Sequence, residues 1–162
     1  MEPYWCWIKN AAKFLIMKDK AQQLSQLFLR IATGIAYFIY GTDRLGLWGK
    51  PGGKNISWGD WPHFMEYAKQ VMSFLPDAVI PVFAATATAA EIILGILLMA
   101  GYKTKYAAFG SGLLSFLFAL SMTISFGFLS PLGYGVFTVC AASFLLCTID
   151  KYNFSIDQWI RK

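Results

Sequence analysis

Two ionisable side chains stand where such groups are costly. Arg30 interrupts the apolar run from Leu24 to Thr42, and Glu91 interrupts the run from Ala78 to Ala100. A charge well inside a membrane span is expensive on any scale, so it faces the interior of a helix bundle and finds a partner there. Counted inward from one side of the bilayer, Arg30 lies about six residues deep and Glu91 about ten, roughly 9 and 15 Å. An arginine side chain can close that gap. The sequence therefore predicts contact between Arg30 and Glu91, either direct or through one water or a ligand. The plain reading is an ion pair that fixes helix packing. The functional reading is a polar site for a quinone head group, an anion or a proton.

The neighbours of both residues repeat at helical spacing. Arg30, Gly34, Tyr37, Gly41 and Arg44 share one helix face, and Ala84, Thr88, Glu91 and Gly95 share another. Small residues let helix backbones approach closely in a membrane. Gly34, Gly41, Ala84 and Gly95 are accordingly read as packing positions. Arg30, Tyr37, Thr88 and Glu91 are the candidates for a buried polar or ligand site.

Other chemistries find no support. The single histidine, His63, cannot give a bis-histidine haem within the chain and argues against a histidine metal site, so no metal is expected. It reads as a polar residue at headgroup level. There is no phosphate-binding glycine motif with its lysine and no dinucleotide fingerprint, so no cofactor is expected by motif or covalent attachment. Ser121 and Ser125 have no histidine near them in the sequence for a serine triad. Cys6, Cys140 and Cys147 form no CxxC pair. Cys140 and Cys147 lie two turns apart on one face, about 10 Å along the axis, too far to join without distortion. They read as small apolar fillers. The net charge of +5 comes with no basic stripe interleaved with aromatics, so nucleic acid is not an expected partner.

The elements that must position these residues are membrane spans. Apolar residues make up 57 % of the 162 residues and charged residues 14 %, against roughly 45–50 % and about 25 % in soluble domains. Crossing a bilayer takes about 20 apolar residues as helix. Spans are expected over 24–42, 78–100, 106–128 and 131–149, the last two forming a tight hairpin broken near Gly127–Gly135 by Ser130, Pro131 and Gly133. The fold expected is an all-α membrane protein, a single domain built as a four-helix bundle. Nine lysines and arginines flank one side (Lys9, Lys13, Lys18, Lys20, Lys103, Lys105, Lys151, Arg161, Lys162), and four flank the other (Arg44, Lys50, Lys54, Lys69). That bias places both termini in the cytoplasm. Residues 4–17, with Trp5, Ile8, Ala12 and Leu15 on one stripe and Lys9 and Lys13 off it, read as an amphipathic interfacial segment rather than a cleavable signal peptide. The loop 43–77 then faces outward. It holds a short helix from Pro62 to Leu75, capped by Asp60, with Phe64, Ala68, Val71 and Leu75 on its apolar face. Residues 150–162 form a cytoplasmic tail.

The segment Leu27–Gly34, followed by Tyr40–Gly41 and Arg44–Leu45, resembles the first helix of DoxX-type membrane proteins. So does Ala90–Gly95, continuing through Leu97–Gly101 to the basic turn at Lys103–Lys105. The likeness covers most of residues 24–148; its last two spans match mainly by hydropathy, and the outer loop is longer than the family pattern. The resemblance implies a multi-pass four-helix bundle in a bacterial cytoplasmic (inner) membrane. It also implies a lean toward redox complexes, the family including a membrane subunit of thiosulfate:quinone oxidoreductase. The first expectation is a membrane subunit of a redox complex with quinone as candidate ligand, not catalytic alone. The alternatives are a non-enzymatic anchor or assembly factor, and a small-molecule transporter. Expected partners are membrane lipid and either another protein or further copies of the chain.

Overall fold

The computed structural model describes residues 3–160, with side chains described from Phe14 onward except Leu15 and Ile16. Its helices are α1 (Pro3–Asp43), α2 (Trp61–Val71), α3 (Ile80–Ala100), α4 (Thr104–Phe126), α5 (Leu129–Gly133), α6 (Val136–Cys147) and α7 (Ile156–Ile160). No strand occurs among the described residues.

The first expected span lies inside a much longer helix. α1 runs for 41 residues without a break. Residues 18–26 hold neither glycine nor proline, and their lysines, alanine, leucine and glutamines favour helix, so nothing stops the chain before Leu24. The side chains of the amphipathic stripe expected over residues 4–17, and that of Cys6, lie outside the described ones.

α3 and α4 are long and apolar enough to cross a membrane, and only 28 % and 39 % of their most apolar windows are buried. Ile93, Ile96, Phe109, Leu113, Leu117 and Ile124 point outward from them. Exposed apolar area on that scale marks a surface made for another apolar phase. α3 ends in a Schellman turn: Gly101 takes the left-handed conformation at φ 68°, and the Tyr102 N–H donates to the Leu97 carbonyl at 3.1 Å.

The fourth expected span is corrected. Instead of one helix over 131–149, the chain forms the short α5 and then α6, separated at Tyr134–Gly135, where Gly135 adopts φ 66°. α6 has 12 residues, about 18 Å of helix. Pro131 and the paired glycines 133 and 135 interrupt the hydrogen-bond ladder that a continuous span needs.

α1 packs along α3, and α4 along α6. Glycine sets the first contact: a Cβ on Gly95 would fall 2.8 Å from the Gly34 carbonyl oxygen and 2.8 Å from the Phe38 nitrogen. Across the second contact, Gly112 faces the Phe144 ring, where a Cβ would fall 2.8 Å from two ring carbons.

The short outer-loop helix forms as α2 but ends at Val71, short of the expected Leu75. Asp60 caps it, its carboxylate accepting the His63 N–H at 2.9 Å, and Pro62 occupies the first turn. Those contacts with His63 hold the Asp60 carboxyl below the usual carboxylate range. Phe64, Ala68 and Val71 are its buried face. Phe64 and Ala68 with Ile80 and Ala84 of α3 form the core of one end of the molecule, while Leu98, Ala107, Ala108, Leu146 and Tyr152 form the core of the other.

Candidate functional site

Glu91 is buried on the α3 face that meets the end of α1. Its partner is Arg44, the first residue after α1. Arg44 Nη1 lies 2.6 Å from Glu91 Oε2, and Nη2 donates to Oε1 at 3.1 Å. Nη1 also donates to Thr88 Oγ1 at 2.9 Å, and that hydroxyl donates to the Ala84 carbonyl one turn earlier. A planar guanidinium matched to both carboxylate oxygens is the geometry that lysine cannot reproduce.

Aromatic rings close the site. The Arg44 guanidinium carbon is 4.1 Å from the centre of the Phe64 ring and 5.0 Å from that of Trp58. Trp58 in turn packs edge-on against Tyr40 and Phe64 and leans on Tyr67. A cation over a desolvated ring face is attracted by the ring quadrupole, so the rings stabilise the charge while excluding water.

The loop carrying Trp58 is pinned by α1. The buried Asp43 carboxylate accepts the backbone N–H groups of Ser57 at 3.2 Å and Trp58 at 2.8 Å. The Trp48 indole N–H donates to Thr42 Oγ1 at 2.7 Å. Gly59, at φ 74°, passes so close to Pro51 that a Cβ there would meet its nitrogen at 2.5 Å. Residues 46–60 thus fold back as a cap over the ion pair.

The expected contact between Arg30 and Glu91 does not form. The glycine seam sets the register: Gly34 faces Gly95 and Met99, and Gly41 faces Glu91 and Ile92. Arg30 is therefore level with Gly101, to which its Nη1 comes close. Ten residues of α3 separate Glu91 from that level, about 15 Å. Counting depth from Leu24 fails because Leu24 is not the end of a helix.

Arg30 is 1 % exposed and bonds to the C-terminal tail. Its Nη2 donates to the Phe154 carbonyl at 2.6 Å and Nη1 to the Asn153 carbonyl at 3.5 Å. Gln26, one turn earlier, donates to the same Asn153 carbonyl at 3.2 Å. Tyr37 has a third set of partners: its hydroxyl donates to the Ser111 carbonyl and pairs with Ser115 Oγ, both at 2.6 Å, which ties α1 to α4. Of the four polar candidates, then, only Thr88 and Glu91 meet. Ala84, Gly34, Gly41 and Gly95 lie at helix contacts.

Arg44, Asp43, Trp58 and Phe64 complete the site without having been predicted in it. Arg44 was legible as the last member of the α1 stripe, three residues beyond Gly41, but its place after the apolar run made it look like a loop charge. Asp43 and Trp58 come together only through the fold of the loop, and no spacing in the sequence announces that.

A family model described as DoxX matches residues 25–125, which include the ion pair, its cap and both of the long apolar helices. No curated protein and no solved structure matched the chain.

Proposed function

The chain belongs to the DoxX family, and from that premise we propose that it is a four-span membrane subunit that holds a redox partner protein at its capped end. α1, α3, α4 and the broken α5–α6 hairpin supply the spans, with both termini on the cytoplasmic side of a bacterial inner membrane. The observation that carries this reading is the closed Arg44–Glu91–Thr88 cluster under its aromatic cap. The charged groups of the spans are consumed by internal contacts, Glu91 by Arg44 and Arg30 by the tail. These contacts fix the helices and the tail against one another as a rigid scaffold. The cap it supports displays Leu45, Leu47 and Trp48 as exposed apolar side chains, a surface suited to a protein partner.

Affinity purification from native membranes tests the proposal. A stoichiometric partner bearing a redox centre is expected, and Leu47→Asp, which alters an exposed side chain, should release it. Recovery of the chain without a partner, or with one indifferent to Leu47→Asp, would refute the assignment.

A second reading has its own observation. A guanidinium, a carboxylate and a hydroxyl converge beneath aromatic rings, the combination that fixes a polar head group in an apolar slot. In this reading a quinone carbonyl competes with Glu91 for Arg44. Quinone copurifying with the wild type and absent from Arg44→Met would support it. Thermal stability unmoved by quinone analogues would count against it.

A further inference from the structure

The end of the bundle opposite the cap carries two adjoining clefts. One, of about 440 Å³, is lined by Ala100, Phe154, Ser155, Ile156, Gln158 and Trp159. The other, of about 220 Å³, is lined by Lys151, Tyr152, Asn153, Asp157 and Gln158. We propose that they bind one anionic phospholipid of the surrounding leaflet, its phosphate beside Lys103 and Lys151 and its acyl chains along Phe154 and Trp159.

The tail backbone is fixed. The Tyr152 hydroxyl donates to the Leu146 carbonyl at 2.9 Å, Arg30 and Gln26 hold the carbonyls of Asn153 and Phe154, and the Asp157 N–H donates to the Gly101 carbonyl at 2.9 Å. Phe154 and Trp159 are therefore held outward, 71 % and 81 % exposed, with Ile160 beside them. Rings presented in this way at the end of a membrane bundle suit the interfacial layer, where tryptophan and tyrosine are enriched. The larger cleft includes Ala100, the last residue of α3, and Tyr106 in the first turn of α4 is exposed.

Charge selects the lipid. Lys103, Lys105 and Lys151 are exposed at this end. The Asp157 carboxylate beside them is already engaged: its oxygens accept the N–H groups of Lys103 and Thr104, both at 2.7 Å, at the positive end of α4. With Asp150 that makes two carboxylates against the three lysines of these segments. A zwitterionic headgroup would leave that excess unbalanced, whereas an anionic one balances it.

The test uses the full chain in vesicles of phosphatidylcholine alone or of phosphatidylcholine with phosphatidylglycerol, the acyl chains brominated near the headgroup to quench tryptophan. Wild type should be quenched more strongly in the phosphatidylglycerol vesicles, and Trp159→Phe should remove that extra quenching. Lys103→Gln with Lys151→Gln should weaken the preference for phosphatidylglycerol, by roughly fivefold per lysine. Inorganic phosphate should leave the emission unchanged. Equal quenching of wild type and Trp159→Phe, an unchanged preference in the lysine variant, or competition by inorganic phosphate would overturn the proposal. The lysine and tryptophan changes are remote from the cap, so they leave the partner assignment untouched.

Discussion

Glu91 and Arg44 can occupy an apolar bundle only because each answers the other's charge. Removing one leaves a buried charge with nothing to balance it, which costs about 3–5 kcal/mol in buried pairs. Glu91→Gln and Arg44→Met should each lower thermal stability in detergent steeply, and the double variant should lose less than the sum, since neither charge is then stranded. Additive losses would show that the two side chains do not share a site. Arg44→Lys should recover only part of the loss, because an ammonium cannot meet both carboxylate oxygens and Thr88 together or lie flat against Phe64. Arg30 obeys a different rule. Its charge is solvated by the tail carbonyls of Asn153 and Phe154 rather than by a carboxylate in direct contact. Arg30→Met combined with Glu91→Gln should therefore give additive losses, the behaviour of groups that are far apart; a coupling comparable to that of Arg44 and Glu91 would contradict the register described above.

That register belongs to the helices, and glycine fixes it. On Gly95 an added methyl group meets backbone on both sides, the Gly34 oxygen and the Phe38 nitrogen, so α1 and α3 must separate. On Gly41 the nearest atom is the side-chain Cγ1 of Ile92 at 2.7 Å, which can turn away. Gly95→Ala should cost about 1–3 kcal/mol, the range for overpacking, and Gly41→Ala distinctly less, as read from thermal unfolding of the two variants; equal losses would mean that the seam is looser than the structure has it. These elements were readable where their signals are local. Asp60, Pro62 and the stripe Phe64–Ala68–Val71 specify α2 within a dozen residues. The bounds of α3 and α4 follow from apolar length and the glycines that stop them, Gly101 and Gly127. The α5–α6 break was harder to read, because hydropathy sums over the segment and is blind to the left-handed turn at Gly135.

At the scale of the whole molecule the chain is tied at both ends of the bundle by segments that a hydropathy reading treats as connectors. The cap depends on Asp43 receiving N–H groups from residues fourteen and fifteen places along the chain. The tail depends on Arg30 and Gln26, more than 120 residues before the carbonyls they hold. Contacts of such separation leave no periodic trace, so the two long apolar helices α3 and α4 and the small-residue seams were legible while the partners of Arg30 and Glu91 were not. The two ends also differ in charge. Lys103, Lys105 and Lys151 lie at the tail end, with Lys18 and Lys20 on the same arm of α1, whereas the cap end has Lys50, Lys54 and Lys69. If insertion follows the bias of lysine and arginine, the tail end is cytoplasmic and the cap is outside. Single cysteines replacing Lys54 in the cap or Lys105 at the start of α4 decide the matter, on a background in which Cys6, Cys140 and Cys147 are changed to alanine or serine. Both positions are exposed, so accessibility depends on the side of the membrane rather than on burial. In intact cells a membrane-impermeant maleimide should label the cysteine at 54 and spare the one at 105 until the membrane is opened. The reverse pattern would invert the molecule, place the cap in the cytoplasm, and assign the tail to the opposite leaflet.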